Sequence, residues 1–255
     1  RHARYDHAQP TPALRRWVDR YWSVTWKLPP GRHHVVTTLD DPAIHLTREW
    51  GEVRREGTDG AGTWITGPVT RGRFDVTQSG SGGVVGVRFR LGGTTALTAS
   101  QPAAVRDRTV PAAAWWDHAR LADLPVELPD TATGAAPLLD AWLLALSPRD
   151  AHGYADLLAV LELLRDPAVT GTGELERRSG CSRRSLQRMF RRFVGVGPKR
   201  MVLRSRVMDA VAALDSGEGK DLAGLAATLG FADHAHLTRA LTEAIGVPPS
   251  QYRTG

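Results

Sequence analysis

The feature that most constrains this fold is a phrase that occurs twice in the C-terminal part of the chain. Leu175 stands five residues before Gly180, and Leu225 stands five before Gly230. Leu186 and Leu237 follow those glycines, and each lies twelve residues ahead of a proline, Pro198 and Pro249. The prolines close similar endings, Gly-Val-Gly-Pro-Lys-Arg-Met (195–201) and Gly-Val-Pro-Pro-Ser-Gln-Tyr (246–252). Helix, glycine-containing turn and second helix make a helix-turn-helix, so the repeat predicts two such units. In the first, a helix opening at Ser182 puts Leu186, Met189, Phe190 and Phe193 on one apolar stripe. In the second, Leu237, Leu241, Ala244 and Ile245 form the corresponding stripe, opposite Ala235, Thr238, Arg239 and Thr242. One longer helix, roughly 199–214, joins the units, and Asp221 is the expected N-cap of the helix through Leu222, Leu225 and Leu229.

The face opposite Leu186 carries Arg184, Gln187, Arg188 and Arg191. From Arg177 to Arg206 there are eleven Arg and Lys and no Asp or Glu. A merely solvated helix face mixes charge signs for i,i+4 pairing, and this one does not. Arg and Gln pair bidentately with guanine and adenine in the DNA major groove. The pattern therefore points to duplex DNA, against the plainer reading of a soluble basic surface. The whole chain carries a formal charge of +6, a balance compatible with an anionic partner.

No apolar run approaches the roughly 18 residues that would span a bilayer, so no membrane role is expected. Cys181 is the only cysteine, which excludes an intramolecular disulfide and a cysteine-rich zinc cluster and fits the reducing cytoplasm. Before the repeat the texture is different. A short helix is expected through Leu14, Trp17 and Val18. Short β-type stretches follow at 21–26, 34–38, 44–47, 63–66, 74–77 and 84–89. Gly, Pro and Asp punctuate them, including a turn expected over 79–83, and so many short strands favour a barrel or sandwich. Helical texture takes over at 94–99, 111–121 and 137–146, and 147–153 has the composition of a hinge. The fold class expected is α+β with two domains. Residues 1–150 would form a β-barrel with flanking helices, and 151–255 an all-α domain with two helix-turn-helix units.

The phrases 180–190, 229–239 and 246–253 resemble the DNA-binding domain of the AraC/XylS family of transcription regulators, over about 100 residues. That resemblance implies seven helices, with recognition helices in successive major grooves about one DNA turn, roughly 34 Å, apart. The first reading head would be Arg184, Gln187 and Arg188. The second would be His234, Ala235, Thr238 and Arg239. Ala235 departs from the polar residue common there and offers only apolar contact, as to a thymine methyl. Glu176 departs too, since the second copy has the small Ala226; Arg178 or Arg183 would be its partner unless it points outward. Ser182, Arg183, Arg191, Lys199 and Arg200 are the expected phosphate contacts. The N-terminal part, through Val-Val-Gly-Val-Arg-Phe-Arg-Leu-Gly-Gly (84–93), resembles the cupin-like sensor domains of such regulators, which implies effector binding and dimerisation.

All eight tryptophans precede residue 143, and aromatic side chains inside a barrel suit an apolar ligand. Trp22, Trp26, His34, His45, Trp64 and Arg88 are the candidate effector-binding residues, against the simpler expectation that each Trp packs a core. His33, His34 and His45 lack a carboxylate at metal-ligand spacing. His234 and His236 diverge on a helix, and Cys181 reads as a small packed residue. No catalytic residues, metal or cofactor are expected. The reading is a cytoplasmic, dimeric regulator that binds a double-stranded DNA operator, answers a small-molecule effector and acts on RNA polymerase. A non-specific architectural DNA binder and an enzyme built on the barrel are the alternatives.

Overall fold

A computed structural model describes residues 2–39, 41–58, 60–70, 73–216, 221–249 and 252. The N-terminal half is a seven-stranded antiparallel sheet: β1 (Ala3–Ala8), β2 (Val18–Lys27), β3 (His33–Leu39), β4 (His45–Arg55), β5 (Gly62–Thr66), β6 (Arg73–Phe89) and β7 (Thr109–Pro111). β6 is its spine. One edge pairs along its length with β4, from His45↔Arg88 to Arg55↔Val76. The other edge pairs first with β3 and then with β2, so that Val36↔Val76 and Trp22↔Gly86 lie on the same strand. A sheet that changes partner midway must bend, and β2, β3, β4 and β6 curl around a cavity of about 140 Å³.

The continuity of β6 differs from the turn expected over 79–83. Its glycines serve the strand because indoles lie across them. A Cβ on Gly86 would fall 2.6 Å from Trp22 Cε2, one on Gly82 2.6 Å from Trp26 Cζ2, and one on Gly83 2.2 Å from Trp50 Cζ2. Glycine inside a strand marks close approach as well as turning. The segment expected as a helix through Val18 is instead a single 3₁₀ turn, Pro12–Leu14, after which Val18 opens β2.

Short helices α1 (Ala112–Trp115) and α2 (His118–Ala122) lead to α3 (Ala132–Ala145). Leu139, Trp142 and Leu143 of α3 are buried with Tyr21, Phe89, Trp115 and Trp116. Polar ties fix the packing: Tyr21 Oη donates to Asp140 Oδ1 at 2.7 Å, and the Ala132 amide donates to Ser23 Oγ at 2.8 Å. The hinge-like segment is pinned, since Asp150 accepts from Arg16 Nε at 2.8 Å and Trp17 Nε1 at 2.9 Å.

Six helices follow among the described residues, where the resemblance implied seven: α4 (Tyr154–Leu163), α5 (Thr172–Ser179), α6 (Arg183–Phe193), α7 (Pro198–Asp215), α8 (Leu222–Thr228) and α9 (His234–Ile245). Ser250, Gln251 and Arg253, in the last matching phrase, lie outside the described residues. Two separate cores hold this region together. Tyr154, Leu157, Leu175, Leu186, Phe190, Phe193 and Val202 form one. Val207, Ala210, Ala226, Leu237, Leu241 and Ala244 form the other. α7 supplies its first half to one and its second half to the other, which is why its apolar residues follow no single stripe.

Candidate nucleic-acid interface and ligand cavity

The sequence repeat is a repeat of backbone geometry. Gly180 and Gly230, which turn α5 into α6 and α8 into α9, have φ of 66° and 68°. Gly195 and Gly246, which end α6 and α9, both have φ of 78°. L-residues with a Cβ rarely adopt this left-handed conformation, and glycine does so freely. Each second helix is also capped by its own sequence. Ser182 Oγ accepts the Ser185 amide at 3.2 Å, and Asp233 Oδ1 accepts the His236 amide at 2.6 Å. That amide hydrogen bond holds the Asp233 carboxyl below its ordinary range. Such caps each stabilise a helix by about 1 kcal/mol.

Leu186, Phe190 and Phe193 hold α6 in the core, and Met189 is half-buried beside them. Arg184, Gln187, Arg188 and Arg191 are exposed together on the opposite face. On α9, Leu237, Leu241 and Ala244 are buried with Ala240, and Ile245 is half-buried. His234 and Arg239 are exposed, while Ala235 and Thr238 are half-buried on the same side. His236 is turned to local use, its ring edge-on to Phe231. A residue that sequence reasoning missed sets this second unit. Buried Arg206 of α7 stacks its guanidinium 3.9 Å over Phe231 and donates from Nε to the Leu229 carbonyl.

Ser182, Arg183, Arg191 and Lys199 are exposed around the first unit. Arg200 is a correction. Its guanidinium donates to the Thr70 carbonyl at 2.6 Å and to Glu243 Oε1 at 3.1 Å, so it joins α7 to the sheet domain and to α9 instead of standing free for phosphate. Of the partners left open for Glu176, Arg178 is taken elsewhere, pairing with Glu174 and Asp166. Cys181 is half-buried against the first helical core. The first unit also docks on the sheet domain. Gly195 sits against Pro102 and Ala103, where a Cβ would lie 2.7 Å from the Ala103 amide nitrogen. Tyr154 Oη donates to the Arg16 carbonyl at 3.0 Å, and Trp17 and Leu91 pack into the first helical core. Burial pushes the Tyr154 hydroxyl up to about 12.

The cavity is lined by Trp22, Val24, Trp26, Val36, Val53, Val69, Val76 and Val84, with Asp41, His45, Thr47, Glu49, Arg55 and Gln78 among them. Of the candidate effector residues, Trp22, Trp26 and His45 are therefore on its wall. Trp64 is buried in β5 over Gly62 and is not. His34 is exposed on β3, paired there with Gln78 across the ladder. Arg88 lies one contact behind the wall. A polar chain runs from Trp22 Nε1 to His45 Nδ1 (3.2 Å), from His45 Nε2 to Asp41 Oδ2 (3.0 Å), and from Arg88 to both Asp41 oxygens (2.8 and 3.0 Å). Arg88 also reaches Asp19 at 2.8 Å. Burial raises the Asp41 carboxyl, but hydrogen bonds and charge from His45 and then Arg88 outweigh it, and it stays well below the usual range. Arg88 and Asp19 border a crevice shared with Leu158 and Leu161 of α4 and Met201 and Arg204 of α7.

Residues 175–255 match the family described as Helix-turn-helix domain, and residues 6–111 match one described as Domain of unknown function (DUF6597). No curated protein matches the chain. Among solved structures the chain is similar to ToxT from Vibrio cholerae at 1.65 Å resolution, with 10% identity and a TM-score of 0.45 over 98% of this chain and 96% of that one. It is similar to the same protein bound to an unsaturated fatty acid, with 10% identity and a TM-score of 0.44 over 98% and 93%. With (E)-4-(8-methylnaphthalen-1-yl)but-3-enoic acid bound, the values are 10% identity and a TM-score of 0.44 over 99% and 98%.

Proposed function

We propose, from the premise that residues 175–255 form a helix-turn-helix domain of the AraC type, that α6 and α9 read two segments of one DNA operator. The chain is a DNA-binding regulator of transcription. The observation that carries the base-reading assignment is the exposed, acid-free face of α6. Arg184, Gln187 and Arg188 stand exposed there and make no hydrogen bond among the described residues that would compete with base edges, and Arg191 flanks them toward the phosphates. His234, Ala235, Thr238 and Arg239 are the second head. Ser182, Arg183 and Lys199 complete the phosphate contacts.

Residues 1–150 act as the sensor and dimerisation domain, and the cavity holds a small-molecule effector. The polar chain Trp22–His45–Asp41–Arg88 links the cavity wall to the crevice beside α4 and α7. A ligand that moves His45 thereby changes how the reading heads are held. The protein is a non-enzymatic, cytoplasmic regulator that works as a dimer and recruits or blocks RNA polymerase. The test compares Arg188→Ala with Lys199→Ala by fluorescence anisotropy on specific and scrambled duplexes. Arg188→Ala should cost about 1–3 kcal/mol on the specific duplex alone and relax specificity at one position. Lys199→Ala should weaken both duplexes alike. Equal losses on both duplexes for Arg188→Ala would refute the base-reading role.

A further inference from the structure

The wall of the cavity has acceptors to spare. Thr47 Oγ1 donates to Glu49 Oε1 at 2.7 Å, and Arg55 pairs with that same oxygen. Trp22 Nε1 is committed to His45, and Trp26 Nε1 donates to the Ser79 carbonyl at 3.0 Å. His45 Nε2 is bound to Asp41. Against these, Glu49 Oε2 and Gln78 Oε1 have no hydrogen-bond partner among the described residues, although Glu49 is 2% exposed and Gln78 4%. A buried acceptor left unpaired is destabilising, and buried polar groups are otherwise nearly always satisfied. Two such acceptors on one cavity wall mark where a ligand is to donate.

From this we propose that the cavity takes a compact apolar molecule of about one ring that carries a hydrogen-bond-donating hydroxyl or amine, and not a carboxylate. The inference rests on the effector reading above and specifies its ligand class. Size follows from the volume: about 140 Å³ is close to the roughly 150 Å³ cavity that accommodates benzene. The apolar body would pack on Trp22, Trp26, Val53 and Val84. Its donor would meet Glu49 Oε2 or Gln78 Oε1. A carboxylate brings no donor for these acceptors and would face the carboxylates of Asp41 and Glu49 on the same wall. Either an alcohol or an amine supplies the needed chemistry.

The test uses calorimetric titration of the full-length protein with four compounds sharing a ring: benzyl alcohol, benzylamine, toluene and benzoate. At least one donor compound should bind about 3- to 10-fold tighter than toluene, the effect of one net hydrogen bond, and benzoate should bind weakest. Gln78→Met should erase part of that advantage without changing toluene, and Val53→Phe should abolish binding of all four. The wild-type series decides the question even if a variant folds poorly. Toluene or benzoate binding as tightly as the better donor overturns the proposal, as does failure of all four to bind. Donor binding that is lost in Val53→Phe yet leaves DNA affinity unchanged supports the ligand class and refutes the effector reading instead.

Discussion

Replacing Arg200 by alanine separates a structural staple from a phosphate contact. The side chain is about a quarter exposed, and its bonds to Thr70 and Glu243 tie three parts of the molecule together. The donation to the Thr70 carbonyl at 2.6 Å is charge-assisted and part-buried, and such bonds contribute about 1.5–3 kcal/mol. The Glu243 partner is 54% exposed, so that ion pair is screened and adds at most about 1 kcal/mol. The loss should total about 2–3 kcal/mol, lowering the thermal midpoint by about 5–10 °C for a chain of this length. Salt dependence gives the sharper readout, because each phosphate neutralised contributes about 0.9 to the slope of log K against log salt. Anisotropy titrations on operator DNA from low to moderate salt should give Arg200→Ala the wild-type slope. Exposed Lys199, its chain neighbour, should flatten the slope by about 0.9 when replaced. A flattened slope for Arg200→Ala with an unchanged thermal midpoint would refute the staple and restore the phosphate contact.

Three further perturbations test the sheet domain and the helix caps. Gly83→Ala puts a Cβ 2.2 Å from the Trp50 ring, and overpacking of this kind destabilises by about 1–3 kcal/mol, measurable by denaturant unfolding; wild-type stability would show that the indole moves freely. Asp41 has a folded-state pKa below its unfolded value, so its contribution is full above about pH 4 and is lost as pH falls through the depressed folded value. Asp41→Asn should therefore lower stability at neutral pH and reduce its further fall on acidification; an unchanged acid limb would contradict this. Ser182→Ala removes the α6 cap and should cost about 1 kcal/mol, seen as a fall in stability of that size; no change would remove the cap from the account.

The helical half was legible because its signals are local. Leu186, Phe190 and Phe193 recur at helical spacing, Ser182 and Asp221 cap helices by hydrogen bonds within three residues, and Gly180 and Gly230 need a left-handed backbone. The sheet half was less legible because its signals are distant pairings. The glycines of 79–83 read as a turn until Trp26 and Trp50, far away in sequence, are laid across them. Ending a strand at Thr47 hid the inward row Thr47, Glu49, Val53 and Arg55, and with it the buried Glu49–Arg55 pair. Charge density drew Arg200 toward DNA, but its partners Thr70 and Glu243 lie 130 and 43 residues away. Exposed positions such as Arg184 and Gln187 follow from the stripe opposite them; what a side chain touches across domains does not.

The central claim is that two heads read one sequence. The direct measurement is selection of sheared genomic DNA on the purified full-length protein, washed at moderate salt and sequenced. Two reading heads should enrich a few sites carrying two conserved blocks about one helical turn, roughly 34 Å, apart. Uniform, salt-labile recovery with no conserved block would contradict it and leave only counterion-release binding.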